Sequence, residues 1–164
     1  MNKILISILF LLCTLINACG GGGGGGTGSN EPPPPTQPTA ITVLLSTSGT
    51  LPSGSVIKDI YAVITLPSTV TVKTINGVPD VVVPAGTELK FPPTVNGSDL
   101  TVYVSSTDAN GIPPNVSYAT VNCTYTGSTT PQFTQPSNSL VAGGPPESFT
   151  DFVDLGMSVL LTVQ

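Results

Sequence analysis

Between Ala40 and Gln164 the apolar residues fall in short runs of period two and nowhere at helical spacing, which points this part of the chain to pleated strands. Runs of this kind, rich in Val, Ile and Thr, lie at 41–45, 57–66, 70–75, 80–83, 88–91, 100–105, 118–126, 149–154 and 158–163. In the second run, Ile60, Ala62, Ile64 and Leu66 share one face, while Asp59, Tyr61, Val63 and Thr65 share the other. In the seventh, Ala119, Val121, Cys123 and Tyr125 face inward, and in the ninth Val159, Leu161 and Val163 do the same. Asn76-Gly77, Asn96-Gly97 and Asn110-Gly111 supply the positive-φ positions of tight reversals. Short strands separated by turn signals every ten residues or so predict one all-β sandwich or barrel over 40–164. The longest stretch without strand pattern is 127–148, expected to be a loop that either contacts a partner or packs its few apolar residues on the sandwich edge.

The first 39 residues have a different composition. Residues 1–18 read as a targeting segment, with Lys3 before an apolar stretch from Ile4 to Ile16 that is too short to span a bilayer comfortably. It ends in Leu15-Ile16-Asn17-Ala18-Cys19, which resembles a bacterial lipoprotein signal. Ile16 stands three positions before the cysteine and the small Ala18 directly before it. The resemblance implies cleavage before Cys19 and a membrane anchor of two or three acyl chains at that residue. More than one chain passes the threshold below which lipid anchoring is reversible. Residues 19–39 then form a disordered tether, Gly20 to Gly26 flexible and Pro32 to Pro35 extended. Gly20 is not the Asp that holds lipoproteins at the inner membrane, so the outer membrane of the bacterial envelope is expected where the cell has one.

A second resemblance concerns the domain itself. Ile57 to Val72, an alternating strand that turns at Pro67-Ser68-Thr69 into an aliphatic one, resembles the early part of a cohesin-type domain. Ala119 to Tyr125 is similar to a later core strand of that family, and 149–163 to its closing hairpin. The resemblance implies a jelly-roll sandwich of about nine strands in the cohesin and carbohydrate-binding superfamily. It maps no binding face residue by residue.

Composition excludes several kinds of chemistry. The chain has no His, so it has no imidazole base and no His-containing metal site. Its cations are four lysines against nine carboxylates, a net charge of -5, which argues against a nucleic-acid partner. No cofactor is expected. Asp108, Asn110, Asp151 and Asp154 are the candidate oxygen ligands for calcium, and turn chemistry accounts for the first two equally well. Asp99, Asp108, Asp151 and Asp154 are the carboxylates available to a glycosidase, but no enzyme is expected. Cys123, the one thiol of the domain, is expected in the core. The expected function is a non-catalytic binding or assembly module that holds a protein or glycan partner. The alternative is a structural subunit that self-associates edge to edge.

Overall fold

Alternation becomes strand wherever the inward residues are large enough to bury, and turns fall where Gly, Pro and Asn interrupt it. In the computed structural model of the chain, residues 37–136, 138–143 and 150–164 are described. Among them run β1 (Thr39–Ser48), β2 (Ile57–Thr65), β3 (Val70–Val72), β4 (Thr74–Ile75), β5 (Val78–Pro79), β6 (Val81–Val82) and β7 (Thr87–Leu89). They are followed by β8 (Thr94–Asn96), β9 (Asp99–Ser106), β10 (Ser117–Tyr125), β11 (Asn138–Gly143), β12 (Thr150–Asp151) and β13 (Ser158–Val163).

These strands build an all-β sandwich of two antiparallel sheets. The first has the order β13-β1-β10-β3, with β6 also on β10; the second has the order β12-β11-β2-β9-β7, with β8 also on β9. A small hairpin, β4-β5, turns through Asn76-Gly77, whose φ values of 53° and 81° are those of a two-residue hairpin loop. The chain crosses from one sheet to the other between β1 and β2, β2 and β3, β6 and β7, β9 and β10, β10 and β11, and β12 and β13. Consequently β1 and β2 are central in their sheets. Each is flanked on one side by a strand of the β9-β10 pair and on the other by β13 or β11.

The inner faces carry the expected sets. Val43, Leu45, Val121 and Cys123 from the first sheet meet Ile60, Ile64, Leu100, Val102 and Val104 from the second. Each such side chain, fully buried, contributes roughly 1.5–3 kcal/mol before conformational entropy is charged against it.

Three departures from simple alternation have local causes. Leu45 pairs with Ala119 and Ser46 with Ser117, so Tyr118 is the extra residue of a β-bulge. The bulge breaks the parity, and Tyr118 joins Ala119 inside the core. Residues 138–143, expected within a loop, form β11 instead, paired with β2 and burying Val141 and Ala142. Gly143 ends that strand against the β1-β2 connection, where a Cβ would overlap the Val56 carbonyl oxygen. Of the strand expected at 149–154, Phe149 lies outside the described residues, and from Thr150 on only β12 forms, because Phe152 donates to Val141 and accepts from Met157 as the chain turns.

Candidate functional site

Antiparallel pairing decides which outward side chains meet, because residues opposite one another on one face have Cβ atoms within roughly 5 Å. On the outer face of the second sheet Tyr61 lies opposite Tyr103, Asp59 opposite Ser105, and Val63 opposite Thr101. Leu140 of β11 stands opposite Tyr61 on the other side. Beyond β7 the Lys90 amide donates to the Tyr103 carbonyl at 2.9 Å, which brings Phe91 beside that tyrosine.

The three rings form a continuous cluster. Tyr61 and Tyr103 meet edge to face, with centroids 5.9 Å apart and planes at 82°. Phe91 and Tyr103 are 5.8 Å apart at 64°. Such contacts stabilise by about 0.5–1.5 kcal/mol each beyond area burial. They leave Phe91 62% exposed.

Polar groups border the rings. The Lys90 ammonium lies 3.5 Å from Asp59 Oδ1 and 5.7 Å from the centre of the Tyr103 ring. Ser105 Oγ donates to the same Asp59 oxygen at 2.6 Å. Lys90 and Asp59 neutralise each other beside the aromatics. Glu88 opposite Ser105 and Asp99 opposite Thr65 place further carboxylates at the margin. Anions are therefore disfavoured. Rings next to the Asp59 carboxylate and the Lys90 ammonium suit a neutral ligand with both apolar faces and hydroxyl groups.

The positions singled out from sequence are dispersed. Leu15, Ile16, Asn17, Ala18 and Cys19, with the tether, lie outside the described residues. Asp108 and Asn110 share one turn, in which Asp108 Oδ1 accepts the Asn110 amide at 2.8 Å. Lys58 Nζ donates to the carbonyls of Asp108 and Ala109, both at 2.9 Å, so a lysine holds the oxygens of that turn. Asp151 Oδ1 accepts the Val153 amide at 3.0 Å, while Asp154 stands in an exposed turn. Among the described residues no group of three or more Asp, Glu or Cys side chains converges as a metal site would require. Asp99 begins β9 and Asp108 follows its end. At about 3.4 Å per residue the two are roughly 30 Å apart, beyond the span of carboxylates acting on one glycosidic bond.

Cys123 is fully buried and free. Desolvation pushes its thiol up to about 11, with Lys73 opposing weakly. A groove of about 560 Å³ lies between β3 and β8, lined by Leu66, Val70, Val72, Val95, Gly97 and Ser98. Its described lining offers no titratable side chain.

The ring cluster is the feature that reading the chain strand by strand overlooks. Parity does place Tyr61 outside the core, and the inward Leu100, Val102 and Val104 place Tyr103 outside as well. Their adjacency depends on the register between β2 and β9, which no local pattern supplies. No family model, no curated protein and no solved structure matches the chain.

Proposed function

We propose that the chain is a bacterial envelope lipoprotein, anchored through acylated Cys19, whose cohesin-like sandwich is a non-catalytic module for a neutral glycan. The observation that carries the binding step is the Tyr61, Tyr103 and Phe91 cluster on an outer sheet face, bordered by Asp59, Ser105 and Lys90. Pyranose rings present apolar C–H faces to aromatic side chains and hydroxyls to charged groups, so the three rings with Asp59 and Lys90 suit them. Stacking needs no cofactor and no acid–base pair. The lipobox and the Gly/Pro tether support a domain held at a distance from a membrane, with the outer membrane favoured by Gly20.

Two experiments test the two halves separately. Cys19→Ala should release the protein from the membrane fraction; quantitative retention there would refute the anchor. For binding, the wild-type chain is pulled down with a panel of insoluble neutral polysaccharides and compared with Tyr61→Ala and Tyr103→Ala. Capture that falls at least tenfold in both folded variants supports the face. Capture unchanged in both, or no capture on any member of the panel, refutes it.

A further inference from the structure

Among the described residues strand β13 is an edge of the first sheet, with β1 on one side and no strand on the other. Thr42 and Gln164 exchange both backbone hydrogen bonds, at 2.9 and 2.8 Å, so the pairs of the same parity point their amides and carbonyls at β1. Val159, Leu161 and Val163 therefore aim theirs away from it. The edge has none of the usual deterrents to pairing: Ser158-Val159-Leu160-Leu161-Thr162-Val163 has no charge, no Pro and no Gly, and is rich in β-branched and aliphatic residues. Leu160 on its outer face is 36% exposed.

The middle of this edge is filled by one side chain. The Leu161 amide donates to Gln135 Oε1 at 2.8 Å, and Gln135 Nε2 donates back to the Leu161 carbonyl at 3.4 Å. The carboxamide thus makes the two bonds that a neighbouring strand would make. The segment carrying it does not pair as a strand. It runs beside β13 across a shallow hollow of about 320 Å³ bordered by Gln132, Phe133, Thr162 and Val163.

We infer that the β13 edge is a self-association surface, whose partner is β13 of a second copy, and that Gln135 keeps it closed in the monomer. The edge matches its own copy. In an antiparallel pair centred on Leu161, Leu161 faces Leu161 and Val159 faces Val163, a twofold-symmetric arrangement with no charge to repel. The inference is independent of the ring cluster, which lies on the other sheet.

The full chain in mild detergent is followed by light scattering over about a hundredfold range of concentration. Wild type is expected at the monomer mass throughout. Gln135→Ala should double in mass as concentration rises, and Gln135→Ala with Leu160→Lys should return to monomer, since Lys on an edge opposes pairing. A folded Gln135→Ala that stays monomeric overturns the inference, as does a wild type that is already dimeric and dissociates with Leu160→Lys. If Gln135→Ala does not fold, hydrogen exchange of the wild type decides. The Leu161 amide should exchange about tenfold more slowly than those of Val159 and Val163. Equal rates at the three positions overturn it.

Discussion

Replacing Tyr118 by Phe should make the protein more stable. The bulge in β10 turns the ring into the core, where it is fully buried, and among the described residues its hydroxyl has no hydrogen-bond partner. An unsatisfied buried polar group costs about 1–3 kcal/mol. The substitution removes one oxygen and leaves the ring contacts in place, so a gain of about 1–2 kcal/mol follows. For a domain of this size that corresponds to a rise in melting temperature of roughly 3–8 °C. Urea unfolding at neutral pH measures it directly, with the midpoint moving up and the slope unchanged. A loss of 1 kcal/mol or more would mean that the hydroxyl is bonded in solution and would refute the reasoning. The same burial holds the phenol in its neutral form, far above its ordinary range. The folded state therefore keeps a proton that the unfolded chain releases, and stability present below about pH 10 is lost as pH rises further. Tyr118→Phe should abolish that part of the alkaline decline.

Other consequences concern the core thiol, a tight approach and a pinned turn. Cys123, raised to about 11 from 9.0, contributes stability that is intact below pH 9 and lost on rising through 11, on the order of 2–3 kcal/mol. Cys123→Ala should flatten that window in a pH series of melting curves, and thiol reagents should label Cys123 only after denaturation. Gly143→Ala should cost about 2 kcal/mol or more in urea unfolding, because the new methyl group meets the Val56 carbonyl. Asn115 has φ 62° and clasps Gly49 through both a donor and an acceptor bond at 3.1 Å. Asn115→Ala should therefore lose about 2 kcal/mol, and Asn115→Gly, which keeps the backbone freedom, distinctly less.

What could be read from the sequence divides along the range of the interaction involved. The faces of β2, β10 and β13 follow from parity alone, since burying Ile60, Val121 or Leu161 commits every second neighbour. The one-residue slip at Tyr118 is invisible to parity, because a bulge is defined by the partner strand. Strand β11 was hidden for a related reason. Ser139, Leu140, Val141 and Ala142 do not alternate, and only docking against β2 makes them a strand. The same holds for the ring cluster, where Tyr61 and Tyr103 are brought together across more than forty residues of chain. Compact sites on a sheet depend on register, and register is a property of the whole fold.

The central position of β1 also has a mechanical meaning. Its first residues pair with β10 alone, and from Thr42 onward it is bonded to β13 as well. A pull applied at Thr39 along the strand loads the row on β10 first and, from Thr42 onward, both rows of backbone hydrogen bonds in shear. A strand at the sheet edge peeled from one end would yield bond by bond. The strand nearest the point of traction is the one the sandwich grips from both sides, and resistance to force is set by how slowly that grip fails rather than by equilibrium stability.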